Sequence, residues 1–268
     1  MKLIDSAIAD FYRNSNEDTR LQTGLGPLEF ERNKILIHHY ISGSSLHIAD
    51  IGGGTGHYSS WLATLGHKVT LIDPVPRHIE KAKQKTGQFR TILAEARKLP
   101  LENSSFDLVI LHGPLYHLQN QDDRFLAIRE VRRILRPGGI VLGFAITHSA
   151  SVLAALYNGM IHHRQVFEMC RAELLTGEHH APEEIKGLLS MAYYHRPEEL
   201  QHEFRAVGFE VRALHAVEGM AWMDSNFFQS WYDAPKKELL LELIRMTDQD
   251  QSLLCLSPHM MIAADFSI

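Results

Sequence analysis

The stretch "LHIADIGGGTGHYSSWLA", Leu46 to Ala63, joins a short apolar run to a helical one through four glycines in five positions. "LHIADI" (46 to 51) has the length and side chains of a buried strand. "HYSSWLATLG" (57 to 66) reads as a helix closed by Gly66. Between them the spacing Asp50-x-Gly52-x-Gly54-x-Gly56 allows positive φ and brings backbone close to a ligand with no Cβ in the way. The segment is therefore expected to be a strand, a tight binding turn and a helix.

Working outward, strand and helix signals alternate. "KVTLID" (68 to 73) reads as a strand, and "PRHIEKAKQK" (76 to 85) as a helix with Pro76 in its first turn. Strands follow at "FRTILA" (89 to 94) and "FDLVIL" (106 to 111), then an amphipathic helix at "DDRFLAIREVRRIL" (122 to 135). A turn at "RPGG" (136 to 139) leads to a strand at "IVLGFAI" (140 to 146). Val-, Ile- and Leu-rich runs joined by helices, without hairpin signals, indicate parallel strands covered on both faces, hence a doubly wound α/β sheet. Such sheets bind ligands at the carboxyl ends of their strands. The glycine turn, Asp73, "AEARKLP" (94 to 100) and "HGPLYHL" (112 to 118) should then border one pocket.

Composition narrows the function. The 268 residues are 45% hydrophobic and 22% charged, ordinary for a globular protein. A formal net charge of −5 gives no global basic field, and the cationic run Arg129 to Arg136 has helical spacing, so nucleic-acid binding is disfavoured. Cys170 and Cys255 form no C-x-x-C pair, which supports neither a disulfide framework nor a structural zinc site and points to the reducing cytoplasm. Asp5 and Asp10 interrupt any signal-type apolar run, and no segment approaches membrane-spanning length. A cytoplasmic chain, monomer or homodimer, with no membrane partner is expected.

The turn is not by itself specific. A dinucleotide fingerprint started at Gly52 and Gly54 would need its third glycine where this chain has His57. Asp73, followed by Pro74 at the end of the second strand, suits the two hydroxyls of any adenosine ribose.

Taken together, "IADIGGGTGHYSSWLA", "VTLIDPVPRHIEKAK", "AEARKLPLENSSFDLVILHGPLYHL" and "EVRRILRPGGIVLGFA" resemble the class I S-adenosylmethionine-dependent methyltransferases of small-molecule type, over roughly Leu46 to Ile146. The resemblance implies a Rossmann-like seven-stranded sheet whose last strand, "SPHMMIAADF" (257 to 266), lies antiparallel between the fifth and sixth. It implies S-adenosylmethionine as cofactor, with the turn of Asp50, Gly52, Gly53, Gly54 and Gly56 under its amino-acid part and Asp73 on its ribose. Glu95, where the family commonly has Asp, would receive the adenine amino group, and Ala96 would offer its backbone N–H to the ring. Leu111 or His112 would supply a carbonyl to the cofactor's amino group.

What surrounds this core should define the acceptor. Residues 1 to 45 read as helix, loop, helix, an N-terminal cap. Residues 147 to 195 insert about three helical segments after the fifth strand, a lid. The α/β core is 46 to 146 and 196 to 268, with a surface helix at 231 to 250. Methyl transfer from a sulfonium needs alignment and exclusion of water, and a base only when the nucleophile holds a proton. Tyr12, Arg20, Tyr116, His117, His148, Tyr193 and Tyr194 are the candidates around such a site. Tyr116 and His117 follow a strand's carboxyl end and are assigned to the pocket lining. Tyr12 and Arg20 are assigned to closure over the cofactor, with Arg20 pairing its carboxylate. The histidine pairs, including His179-His180 before Glu183 and Glu184, lack metal-ligand spacing on a helix, so no metal is expected. Three readings stand: a small-molecule methyltransferase, N- or O-directed ahead of C-directed; a non-catalytic binder of S-adenosylmethionine or its demethylated product; and, third, an NAD-dependent oxidoreductase.

Overall fold

The computed structural model describes residues 8, 12, 17–185 and 188–266. Five parallel strands are laid down first: β1 (His47–Ile51), β2 (Lys68–Asp73), β3 (Arg90–Leu93), β4 (Phe106–Leu111) and β5 (Leu135–Ile146). β6 (Glu178–His180) and β7 (Met191–Tyr193) stand apart as a ribbon, and β8 (Glu210–Ala216) and β9 (His259–Asp265) return to the sheet. Its order is β3-β2-β1-β4-β5-β9-β8, with β9 antiparallel to both neighbours. This is the doubly wound, seven-stranded arrangement expected.

The strand alternation explains why both faces are covered. Ala49, Ile51, Val109, Leu111 and Val141 project into one core, which receives Ala127, Ile128, Val131 and Ile134 of the helix Gln121–Ile134. Ile48, Leu108, Ile110, Leu142 and Phe144 project into the other, closed by Leu62 of the helix His57–Thr64 and by Leu36 and Ile37 of Gly26–His39. Asn120 caps the helix Gln121–Ile134 by accepting from the Asp122 N–H at 2.8 Å.

Three expectations change. The "RPGG" turn is not a break before β5 but a bulge within it: Phe106 pairs with Leu135, Leu108 with Ile140, and the Gly138 N–H donates to the Phe266 carbonyl at 3.0 Å. The surface helix expected at 231 to 250 spans Ala234–Thr247, because Asp233 caps it through the Lys236 N–H, and a separate short helix, Phe227–Trp231, precedes it. The insertion has helical segments at Ala150–Tyr157, Met160–His162 and Arg164–Thr176, and adds after them the antiparallel ribbon β6–β7, which was not expected. Gly177, at φ 77°, ends the helix, and the buried His179 bonds Glu173 at 2.5 Å and the Leu189 carbonyl at 2.8 Å. Of the N-terminal cap, the helices Glu17–Arg20 and Gly26–His39 are described. The first helix expected there lies, apart from Ile8 and Tyr12, outside the described residues.

Among the described residues no helix is long and apolar enough to cross a membrane.

Candidate functional site

The loops after β1, β2, β3 and β4 border one cavity of about 530 Å³ at the carboxyl edge of the sheet. The turn after β1 contributes Gly52, Gly53 and Gly54 to its floor. Gly52 has φ +76°, and a Cβ there would stand 1.7 Å from the His112 carbonyl oxygen, so only glycine lets this turn meet the end of β4. Asp50 lies beneath the turn rather than in the wall. Its Oδ2 accepts from Ser59 Oγ at 2.6 Å, and burial raises its carboxyl to about 6. Gly56 and Leu111 likewise sit behind the wall, Gly56 against Ala82 and Phe89 and Leu111 in the core.

Asp73 ends β2 and lines the cavity with Pro74. Its Oδ2 accepts the Gly54 N–H at 2.9 Å. Its Oδ1 accepts the Val75 N–H at 2.9 Å and faces His78 Nδ1 at 3.0 Å. One carboxylate therefore ties the glycine turn to the next helix while bordering the cavity. Glu95 and Ala96 follow β3 into the same wall. Arg97 holds Glu95 Oε2 through its Nε at 2.8 Å and backbone N–H at 3.1 Å, leaving Oε1 buried without a hydrogen-bond partner. A buried acceptor of this kind suits a donor brought by a ligand.

After β4, Gly113 caps the single turn Pro114–His117, which turns Tyr116 and His117 to the cavity. Burial lowers the His117 imidazole to about 4, and its Nε2 hydrogen-bonds the Tyr12 hydroxyl at 2.6 Å. Burial raises the Tyr116 phenol well above its ordinary range. Neither group is a ready base at neutral pH. Burial also takes His112 down to about 3, its ring stacked between Tyr58 and Phe144 at 4.9 and 3.7 Å. The sequence candidates thus separate. Tyr12, Arg20, Tyr116 and His117 meet at the cavity, whereas His148, Tyr193 and Tyr194 are not in its wall. Tyr193 lies over the Arg124 guanidinium at 3.8 Å, and Tyr194 stacks on His179. Met191 is the insertion's contribution to the lining.

Arg20 also lines the cavity, with 43% of its side chain accessible, yet it is already engaged. It pairs with Glu29 through two bonds of 2.6 and 3.0 Å and with Glu17 at 2.8 Å. Beside the cavity, Lys85 bonds Asp18 at 2.7 Å and His57 Nε2 meets the Asp18 carbonyl at 2.9 Å, fastening the helix Glu17–Arg20 to the core.

His78 and Glu29 were not singled out from the sequence. The signal for His78 was available: Pro76 at the helix start places residue 78 in the first turn, directly beside the end of β2. Glu29 had no local signal, because its partner lies nine residues earlier across a loop.

The sequence and fold match known proteins. Residues 49–143 match the family model described as a methyltransferase domain. A malonyl-[acyl-carrier protein] O-methyltransferase of Erwinia pyrifoliae is 29% identical over 138 residues, 52% of this chain and 49% of that one. A ubiquinone/menaquinone biosynthesis C-methyltransferase of Rubrivivax gelatinosus is 30% identical over 114 residues, 42% of this chain and 44% of its own. The chain spans about half the length, or less, of these curated relatives. A SAM-dependent methyltransferase structure from Methanosarcina mazei superposes with a TM-score of 0.61 at 19% identity, covering 87% of this chain and 97% of that one. Matched motifs, family model and fold agree: residues 49–143 match a methyltransferase domain, and the seven-stranded sheet around them has the fold of solved S-adenosylmethionine-dependent methyltransferases.

Proposed function

We propose that the protein binds S-adenosylmethionine in the cavity above β1, β2 and β4 and transfers its methyl group to a small-molecule acceptor. The observation that carries this reading is the joint placement of the glycine turn, Asp73 and the unpartnered Glu95 Oε1 in one wall. In it, the turn at Gly52 to Gly54 lies under the methionine part. Asp73 accepts from the ribose, and its following residue Pro74 shapes the loop. Glu95 Oε1 accepts from the adenine amino group beside the Ala96 N–H, and the His112 carbonyl, at the end of β4, takes the cofactor's ammonium. Arg20 exchanges a glutamate for the cofactor's carboxylate.

Bound there, S-adenosylmethionine supplies an activated methyl. The chain's own residues hold it in line and keep water out, the terms that dominate such a displacement. Tyr12 and the helix Glu17–Arg20 close the cofactor side. Tyr116, His117 and Met191 shape the acceptor side, with residues 1 to 45 acting as cap and 147 to 195 as lid. We assign the acceptor to nitrogen or oxygen nucleophiles. The relatives' names include both an oxygen and a carbon acceptor, so the acceptor panel below must separate the two.

Calorimetric titration with S-adenosylhomocysteine, with NAD as the control, tests the cofactor. A panel of amines, phenols and carboxylic acids with labelled methyl donor tests transfer. Binding without turnover on any acceptor would favour a sensor, and binding of NAD instead would overturn the reading.

A further inference from the structure

Behind Arg20 lies a second buried group that the methyl-transfer reading does not use. Glu29, on the helix Gly26–His39, is 7% exposed and bonded to Arg20. On its other side, one ligand-type atom each of Glu29, Glu218 and His259 lie within 4.8 Å of one another. His259 opens β9 beside Ile146, the last residue of β5, and its Nδ1 meets Glu218 Oε1 at 2.7 Å. Glu218 is fixed in turn: its Oε2 accepts from the His259 N–H at 3.0 Å and from Ser257 Oγ at 2.9 Å. Two carboxylates thus face one guanidinium and one imidazole. Arg20 already supplies Glu29 with a positive partner, and Glu218 is held by the Ser257 hydroxyl and the His259 N–H.

We propose that Glu29 is shared between two cations, Arg20 on the cavity side and His259 on the sheet side. A ligand carboxylate that draws Arg20 into the cavity is then answered by uptake of one proton on His259. The inference rests on the cofactor reading above, and His259 acts in it as a positioning residue, through Glu29 on Arg20. Without that proton, Arg20's departure would leave two buried carboxylates, 7% and 1% exposed, with no cation between them, an arrangement that low-dielectric surroundings penalise heavily.

The electrostatics agree in direction. Burial works against charge on the imidazole of His259, but Glu218 and Glu29 outweigh it and raise His259 above its ordinary range, while Arg20 pulls the other way. Removing Arg20 should therefore raise His259 further. Burial likewise opposes charge on Glu29, yet Arg20, His259 and, weakly, His112 hold its carboxyl at about 2. His112, after β4, bears on His259 only as a neutral ring, and Arg32, paired with Asp248, faces Glu218 from the helix Gly26–His39.

Two measurements test this. In the ligand-free protein, the His259 imidazole is titrated by NMR in wild type and in Arg20→Ala. The variant should titrate at higher pH, and an unchanged titration would overturn the exchange. S-adenosylhomocysteine is then titrated calorimetrically near pH 8 in buffers of different ionisation enthalpy. Wild type should take up a substantial fraction of a proton per ligand, and His259→Gln, checked for folding by thermal melting, should take up none of that fraction. Equal uptake in both, or none in wild type, would overturn the proposal while leaving cofactor binding intact. Absence of any binding would instead remove the cofactor reading, and this inference with it. Stoichiometric metal in the purified protein would also overturn it, since a cation among these side chains would keep His259 deprotonated.

Discussion

Replacing Asp73 by Asn changes one atom and separates two roles. The carboxylate accepts the Gly54 and Val75 N–H groups, each at 2.9 Å, and faces His78 Nδ1 at 3.0 Å, at 4% exposure. With the amide oxygen kept toward Val75 and His78, the new NH2 would point at the Gly54 N–H, donor against donor. One buried donor left unsatisfied costs about 1 to 3 kcal/mol. For a chain of this size that is roughly 2 to 4 °C in Tm per kcal/mol. Cofactor affinity should fall separately. A ribose hydroxyl loses a charged acceptor, a bond worth about 1.5 to 3 kcal/mol, or about 10- to 150-fold in Kd. Thermal melting of the free protein measures the first effect, and S-adenosylhomocysteine calorimetry well below the melting range measures the second. A folded variant with lowered Tm but unchanged Kd would show that Asp73 only fastens the turn, and would refute its ribose role.

Other outcomes follow from equally specific contacts. Gly52→Ala should abolish ligand binding and lower Tm, because its Cβ cannot coexist with the His112 carbonyl at 1.7 Å; a variant that crystallises with an undisturbed turn would contradict this. Glu203→Gln should destabilise by about 3 to 5 kcal/mol in urea unfolding, since Arg124, 2% exposed and bonded to Glu203 at 2.8 Å, is left as an uncompensated buried charge. The carboxyl of Asp50 is raised by burial to about 6, above its unfolded value, so its proton stabilises the fold. That contribution should be complete below about pH 4 and fade as pH rises through about 6, amounting to about 3 kcal/mol. Unfolding free energies of Asp50→Asn across this window should lack that slope, and parallel curves for the two proteins would show that Asp50 does not titrate there.

The α/β core was readable from the chain because each signal there is local. "KVTLID" and "FDLVIL" match β2 and β4 end to end, and the helix start at Pro76 is correct to the residue. The loops at the strand ends were therefore correctly expected to share one cavity. What escaped depends on distant partners. The insertion was read as helical segments alone, but His179 is drawn into a ribbon by a buried Glu173 and by pairing with Ala192 thirteen residues on. Tyr193 and Tyr194 looked like pocket aromatics, yet their rings serve Arg124 and His179, contacts without any spacing pattern. The "RPGG" string carries genuine turn residues. Only the pairing of Leu135 with Phe106 reveals that the strand has already begun. Arg20 was identified as a cavity cation, but its engagement with Glu29 depends on a loop closure that periodicity does not encode.

The fastening beside the cavity has a kinetic meaning. Lys85–Asp18 and His57 to the Asp18 carbonyl tie the helix Glu17–Arg20, two of whose residues line the cavity, to the core, and Tyr12 meets His117 at the cavity itself. Any movement of that wall away from a bound cofactor must break these contacts. Where such movement accompanies product release, their strength enters the turnover rate. Since the Lys85–Asp18 pair is only partly buried, salt should weaken it, and moderate ionic strength should shorten the residence time of bound S-adenosylhomocysteine.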